Sequence, residues 1–355
     1  MPEADPEDGA GGVGFCPARI AALAHETTSV LELELEACDG AALSLPLPGQ
    51  YVMLRMKPAP DAPHIVRSFS LCGPATTARY RLGIKSHPGG TASRILETAG
   101  VGDVLDLSSP QGSFVLKPGD GPIALVSAGI GITPVLAMLY ALAAEASQRE
   151  VWWLYGARNR AEHPFADDVR TLLATLPHGH AHTCYSRPGA DDVVGRDFDS
   201  VGHVDAALIE RLGVPAEAEF YLCGPGEFLD DGRAGLRSRG VSECRIHSEI
   251  FVAASSPASR QVTAPPVGPV SESLVSFARS GRAVRWNAAE RTLLELAEQH
   301  DIDVPWLCRM GVCHTCETRL LSGSVAYRPV PPQAPADGNV LLCCSQPVAD
   351  VVLDR

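Results

Sequence analysis

The chain has 355 residues, 45% hydrophobic and 20% charged, with a formal net charge of -13. That length exceeds one ordinary core and suits two or three domains, and the negative charge argues against nucleic acid as a partner. No apolar run is long enough to cross a bilayer, so no membrane contact is expected, and the odd count of 11 cysteines argues for a reducing, cytoplasmic setting rather than a disulfide framework. Residues 1–14, acidic and glycine-rich, read as a disordered tail without the basic and apolar regions of a signal peptide.

From Phe15 the texture changes to short strands. Apolar and polar residues alternate over 30–35, and further strands are expected over 50–55, 67–71, 79–84 and 103–107. Turn residues at short intervals predict an antiparallel barrel or sandwich over residues 15–118, with one short helix over 92–98. Within it, Arg67-Ser68-Phe69-Ser70 offers a charge, a ring and hydroxyls in four residues. A flavin needs that set: charge for its pyrophosphate, a ring to stack on and a polar group beside its reactive nitrogen. Period-two geometry places Arg67 and Phe69 on one face of the strand and Ser68 and Ser70 on the other. Gly89-Gly90-Thr91-Ala92-Ser93 then opens the short helix. Its backbone N–H groups and the Ser93 hydroxyl can seat an anion, while Thr91 as an ordinary N-cap is the plainer alternative.

Near residue 120 the pattern switches again. A continuous apolar strand over 122–126 leads into a glycine-rich turn over 127–134 and a helix over 135–146. Strands over 151–155, 181–185, 219–223 and 244–250 alternate with helices over 165–176, 204–212 and 227–239, which predicts a parallel sheet covered on both faces across residues 119–252. In Ala128-Gly129-Ile130-Gly131-Ile132-Thr133-Pro134 the glycines let a dinucleotide approach the helix start, although Thr133-Pro134 replaces the third glycine of the usual fingerprint. Tyr221-Leu222-Cys223-Gly224-Pro225 closes a later strand, where ligands bind in such sheets. Cys223 is either a buried structural thiol or a nicotinamide contact.

Residues 253–271, rich in proline and serine, read as a linker. Residues 272–355 form a last domain, with a hairpin over 274–279 and 283–286, a helix over 292–300 and then Cys308-Arg-Met-Gly-Val-Cys313-His-Thr-Cys316. This C-x4-C-x2-C run, with a fourth thiolate from Cys343 or Cys344, has the plant-type spacing of a [2Fe-2S] cluster; zinc would favour paired C-x2-C or histidine ligands. Adjacent strand residues face opposite ways, so only one of Cys343 and Cys344 can face the cluster.

Taken in order, Arg-x-aromatic-Ser, Gly-x-x-Ser, Gly-x-Gly-x-Thr-Pro, Cys-Gly-Pro and Glu-x-Phe resemble the ferredoxin–NADP reductase superfamily. The cysteine run beyond them resembles its oxygenase-reductase type, with a C-terminal plant-type [2Fe-2S] ferredoxin domain. The resemblance implies an antiparallel β-barrel flavin domain, an α/β parallel-sheet NAD(P)-binding domain and a β-grasp ferredoxin domain. It implies that Arg67, Gly90 and Ser93 hold flavin phosphates, that Phe69 stacks on the isoalloxazine where tyrosine is usual, and that Ser70 sits near N5. Gly129, Gly131 and Thr133 would bind the NAD(P)H pyrophosphate. Cys223, Gly224 and Glu249 would line the hydride-transfer site, with Phe251 near the flavin. Gly90-Thr-Ala-Ser93 is closer to FAD-binding than to FMN-binding members. Ser186-Arg187, with Arg158 and Arg160 nearby, implies contact with an adenosine 2'-phosphate and hence NADPH over NADH. The family pattern selects Cys308, Cys313, Cys316 and Cys343 as ligands, and His314 stands where glycine is usual.

The activity implied is electron transfer from NAD(P)H through FAD and the cluster to a terminal oxygenase, a haem-thiolate monooxygenase or Rieske dioxygenase, or to another one-electron acceptor protein, by a monomer. Two other readings are a direct reductase of a small-molecule acceptor and a redox-sensing electron-transfer subunit of a larger complex.

Overall fold

The structure is a computed structural model that describes residues 14–59, 64–87, 89–251, 273–286, 292–300, 302–306, 311, 316–328, 330–331 and 334–355. Residues 1–13 of the expected tail and the expected linker at 253–271 lie outside the described residues. Two compact units are present, one spanning Phe15–Ser255 and the other including Ser256–Arg355.

Alternation builds the first sheet. Its strands are β1 (Phe15–Thr27), β2 (Val30–Ala37), β3 (Tyr51–Met56), β4 (Ile65–Ser70), β5 (Tyr80–Lys85) and, after helix α1 (Thr91–Glu97), β6 (Val104–Ser108). In β2, Leu31, Leu33 and Leu35 enter the core while Glu32, Glu34 and Glu36 face outward. The order is β4-β3-β6-β1-β2-β5 with every pair antiparallel. A Leu71–Leu82 bridge joins the free edges of β4 and β5 and closes the barrel. The length of β1 is a finding. Its alanine-rich sequence with Pro17 carries little strand signal, yet it pairs with both β2 and β6 and bends at register shifts after Ile20 and His25.

The second sheet is parallel. It contains β7 (Ile123–Ala128), β8 (Val151–Ala157), β9 (Gly179–Tyr185), the short β10 (Ser200–Val201), β11 (Glu219–Gly224) and β12 (Ile246–Ile250). Between them run α2 (Ile132–Ala144), α3 (Ala166–Leu173), α4 (Ala206–Arg211) and α5 (Gly226–Ser238). The order is β10-β9-β8-β7-β11-β12, so the winding reverses between β7 and β11. A crevice opens at the carboxyl ends of strands where winding reverses, and ligands bind there. The helix expected over 135–146 begins three residues earlier, inside the glycine-rich motif, because Pro134 fits a first helical turn whose N–H groups have no intrahelical partner.

The segment joining β6 to β7 is held at several points. The Lys117 amide donates to the Tyr221 hydroxyl at 2.8 Å. The buried Arg149 guanidinium donates to the carbonyls of Gly121 at 2.6 Å and Lys117 at 3.3 Å.

In the second unit, β13 (Leu274–Phe277) and β14 (Arg282–Arg285) form the expected hairpin. Helix α6 (Leu293–Gln299) starts at Thr292, whose side chain accepts the Glu295 amide at 3.2 Å. Then follow β15 (Glu317–Ser322), β16 (Val325–Tyr327), β17 (Asn339–Leu341), β18 (Ser345–Pro347) and β19 (Val351–Leu353). The main sheet runs β14-β13-β19-β15-β17, with β13 and β19 parallel and the other pairs antiparallel. Leu293, Leu296 and Ala297 of α6 share one core with Phe277, Leu342 and Leu353, which gives the β-grasp arrangement.

Candidate functional site

The crevice between β7 and β11 is built from glycine and buried polar groups. Gly129 has φ +57°, a left-handed turn that a side chain would strain. Gly131 is there for a different reason: a Cβ would fall on the backbone of Cys223 and Gly224. The turn after β7 is thereby laid directly on the turn after β11. The Tyr155 hydroxyl donates to the Gly129 carbonyl at 3.1 Å and steadies the turn from β8. No side chain caps the start of the 13-residue α2, but the amides there close the 3-10 turn onto the Gly129 and Ile130 carbonyls and Pro134 has none, so an anion at this end would have to be met by the amides of Gly129–Gly131. The Thr133 hydroxyl donates to the Ile130 carbonyl at 3.0 Å and the residue is 1% exposed, so its side chain holds the turn rather than facing a ligand.

Ser127, Cys223 and Glu249 occupy matched register positions on β7, β11 and β12, and therefore project from the same side of the sheet. Ser127 and Cys223 are fully buried. The Ser127 Oγ and the Glu249 Oε2 are buried with no hydrogen-bond partner among the described residues. Burial pushes the Glu249 carboxyl up to about 8. Burial, with Glu249 nearby, also pushes the Cys223 thiol well up, so the thiol is neutral. A carboxyl shifted by burial, with no cation beside it among the described residues and at the end of a parallel strand, is the kind of group that functional sites hold. Gly224 packs on the Phe228 ring, and Phe251, half-buried, lies against the core below the crevice.

In the barrel, Arg67 and Phe69 of β4 pair with Leu54 and Val52, whose side chains enter the core, while Ser70 pairs with Tyr51 on the other face. This is the expected division of faces. Phe69 packs partly on the core, Ser70 is 5% exposed, and Arg67 donates to the Val66 carbonyl at 2.8 Å. The Ser93 Oγ accepts the His87 amide at 2.9 Å, which leaves the hydroxyl proton to donate. A Cβ at Gly90 would crowd Ser93 Oγ at 3.2 Å and the His87 carbonyl at 3.1 Å. A guanidinium and a positioned hydroxyl form a donor set suited to phosphate.

Comparison with known proteins agrees with this geometry. Residues 20–116 match the oxidoreductase FAD-binding domain, 125–233 the oxidoreductase NAD-binding domain, and 276–348 the 2Fe-2S iron-sulfur cluster binding domain. The flavohem-like FAD/NAD-binding domain of nitric oxide dioxygenase from Vibrio cholerae O1 biovar El Tor is 30% identical, with a TM-score of 0.60. The match covers 68% of this chain and 99% of that one. The chain belongs to the ferredoxin–NADP reductase superfamily.

Its three matched domains are those for FAD, NAD(P)H and a [2Fe-2S] cluster. The reductase is also 37% identical over 249 residues to a flavohemoprotein of Chromobacterium violaceum, a match covering 68% of this chain and 61% of that protein. It therefore spans less than two thirds of the curated relatives it matches. Phthalate dioxygenase reductase shares the fold along nearly the whole length, at 23% identity and a TM-score of 0.71, covering 96% of this chain and 98% of that one.

Two of the four expected cluster thiols of the reductase are described, and they converge. Cys316 and Cys343 are 2% and 5% exposed. The Cys343 Sγ accepts the Gly311 amide at 3.2 Å, and the Cys316 Sγ accepts the Cys343 amide at 3.5 Å. Backbone N–H donors aimed at sulfur favour thiolate and fit a cluster. The Cys344 Sγ packs against Gly311, where a Cβ would stand 2.7 Å from it, and donates to the Leu341 carbonyl at 3.7 Å. Cys343 and Cys344 lie in a 3-10 turn, Leu342–Cys344, rather than in the expected strand, and Gly311 meets both, its amide on the Cys343 Sγ and its Cα face on the Cys344 Sγ. Cys308, Cys313 and His314 lie outside the described residues.

At the far end of the crevice, the Arg187 amide donates to the Arg158 carbonyl at 2.8 Å and joins the loops after β8 and β9. Arg187 is exposed, Arg158 is paired with Glu162 at 3.2 Å, and the Ser186 Oγ donates to the Ala157 carbonyl at 3.4 Å. Sequence reasoning overlooked Ser127 and Tyr155. A lone serine ending an otherwise apolar strand, just before the glycine turn, was the available signal for Ser127; nothing local marks Tyr155.

Proposed function

We infer that the chain takes electrons from NAD(P)H and delivers them singly, through its FAD and [2Fe-2S] domains, to an oxygenase. The observation that carries this reading is the Ser127–Cys223–Glu249 row. It places an unpartnered carboxyl and a neutral thiol at the switch point of the sheet, in the same compact unit as the barrel. When bound, the flavin supplies the conversion of a hydride pair into single electrons, which an iron–sulfur cluster relays one at a time.

The chain's own groups bind, orient and hold protons. The Gly129–Gly131 turn seats the pyrophosphate, while Gly131 ties that seat to Cys223. Cys223 and Gly224 present a neutral, dry wall to the nicotinamide. Glu249 holds a proton near neutral pH and can give it up within the working range. Arg67, Gly90 and Ser93 hold the flavin phosphates, Phe69 and Phe251 pack its ring system, and Ser70 reaches N5. Arg158, Ser186 and Arg187 accept the adenosine 2'-phosphate, so NADPH is the donor. Cys308, Cys313, Cys316 and Cys343 hold the cluster.

The acceptor is a haem-thiolate monooxygenase or a Rieske dioxygenase. The flavohemoprotein relatives favour haem, and the chain works as a monomer in the cytoplasm. Among the described residues no helix is long and apolar enough to cross a membrane.

Anaerobic stopped-flow reduction tests the reading. With NADPH, the flavin absorbance should bleach first and the cluster absorbance second, before any acceptor protein is reduced. Cluster absorbance that never changes on mixing would leave a direct small-molecule reductase as the better account. Arg187→Ala should raise the NADPH Kd about 10- to 100-fold, the worth of one or two charge-assisted phosphate bonds, and leave NADH untouched.

A further inference from the structure

Beside the nucleotide turn, a set of contacts joins the barrel to the nucleotide sheet. Phe165, just before α3, adopts φ 59°. A bulky residue in the left-handed region is strained and persists only where its surroundings fix it. Three barrel groups do so. The Glu26 Oε1 accepts the Phe165 amide at 2.6 Å. The Phe165 ring lies on β5 at Gly83, where a Cβ would stand 2.9 Å from Phe165 Cζ. The Arg81 guanidinium sits 5.0 Å above the ring centroid.

Arg81 also spans the domains electrostatically. It donates to Glu32 of β2 at 2.6 Å, and across the boundary to Asp168 of α3 at 2.5 Å and to the Tyr140 hydroxyl of α2 at 3.1 Å. Its side chain is 16% exposed, so these bonds are poorly screened by solvent. The same glycine touches the nucleotide turn: a Cβ at Gly83 would stand 2.8 Å from Thr133 Cγ2. Thr133 lies two residues beyond Gly131, which rests on Cys223. A continuous path of contacts therefore runs from Arg81 through Phe165, Gly83 and Thr133 to the wall of the nicotinamide site.

We propose that Arg81 and Phe165 are positioning residues that clasp the barrel to the nucleotide turn and so fix the offset between the flavin strand β4 and the Cys223–Glu249 wall. An ordinary stabilising ion pair would need neither a strained aromatic nor a glycine opposite it. The role rests on the reading that a hydride crosses between these two walls. Transfer over such a gap is steep in distance, and a misplacement of about 1 Å costs about 100-fold.

The test uses the holoenzyme with Arg81→Met, Arg81→Lys, Asp168→Asn and Gly83→Ala, and with Arg170→Gln as a control in the exposed Arg170–Asp167 pair. In anaerobic stopped flow, Arg81→Met and Gly83→Ala should slow flavin reduction about 10- to 100-fold with the nucleotide Kd little changed, and Arg81→Lys should recover part of the loss. Hydrogen exchange should rise at the amides of Phe165 and its neighbours while β7 and β11 stay protected. If Arg81→Met does not fold, Asp168→Asn, which keeps size and shape, decides the matter by the same two readouts. Flavin reduction at the wild-type rate with Phe165 still protected would overturn the clasp. So would a uniform rise of exchange through the whole barrel, the mark of plain destabilisation. Wild-type protein that NAD(P)H does not reduce would end the electron-transfer reading instead, and the exchange measurement would still decide whether Arg81 and Phe165 clasp the domains.

Discussion

Glu249 shows how one side chain can link stability to chemistry. Its carboxyl is pushed up to about 8, against an ordinary 4.5, by burial alone. Between those values the folded protein holds a proton that the unfolded chain has released. Stability is therefore complete below about pH 4.5 and falls as pH rises through the window, at about 1.4 kcal/mol per unit, until the folded carboxyl also ionises near 8. Glu249→Gln should remove that slope. Denaturant midpoints measured at about pH 5 and about pH 9 should converge for the variant and diverge for the parent, and the pH profile of flavin reduction should lose its limb near 8. The paired cysteines give a second test at this scale. Cys343 accepts an amide bond from Gly311, whereas Cys344 spends its proton on Leu341. Cys343→Ser should abolish cluster iron and its paramagnetic signal on reduction, and Cys344→Ser should retain both, as iron analysis and electron paramagnetic resonance will show.

Among elements, the turn between β7 and α2 is the most constrained. Gly131→Ala puts a methyl group on the Cys223 backbone, and the turn or β11 must shift. The expected cost is about 1–3 kcal/mol of stability, with weaker nucleotide binding, measurable by thermal unfolding and by titration with oxidised nucleotide. In the parallel sheet β7, β8 and β11 were readable as largely apolar runs, whereas β9 and β12 carry histidine, threonine, serine or glutamate inside the strand and were readable only from their alternation with helices. β2 was readable because Glu32, Glu34 and Glu36 alternate with leucines, and β5 because Tyr80, Leu82 and Ile84 alternate with Arg81, Gly83 and Lys85. β1 was not, since Pro17 and its alanines give no periodic signal, and its strand state comes from pairing on both sides. α2 starts three residues before its expected position because Ile132–Pro134, in the expected turn, already belongs to the helix. The candidate flavin, nucleotide and cluster residues are legible from motif order alone. Ser127, Tyr155, Arg81 and Phe165 are not, because what sets them apart is their distant neighbours Cys223, Gly129, Glu26 and Gly83, which only the folded chain brings near.

For the molecule as a whole, the three cofactor domains divide the labour of electron transfer, and the division can be cut chemically. Removing cluster iron with a chelator should leave flavin reduction by NAD(P)H at close to the intact rate and should stop delivery to a protein acceptor. Restoring iron and sulfide should return it. The net charge of -13 adds a further expectation at this scale: association with a basic acceptor should slow as ionic strength rises, because screening shortens the reach of the field.

The segment between β6 and β7, gripped by Tyr221 and Arg149, bears on how the protein melts. Two domains on a slack tether would come apart at separate temperatures. Here the tether is part of the nucleotide sheet's own bonding, so loss of either domain strips partners from the other. Calorimetry should record one endotherm for Phe15–Ser255, with van't Hoff and calorimetric enthalpies in agreement.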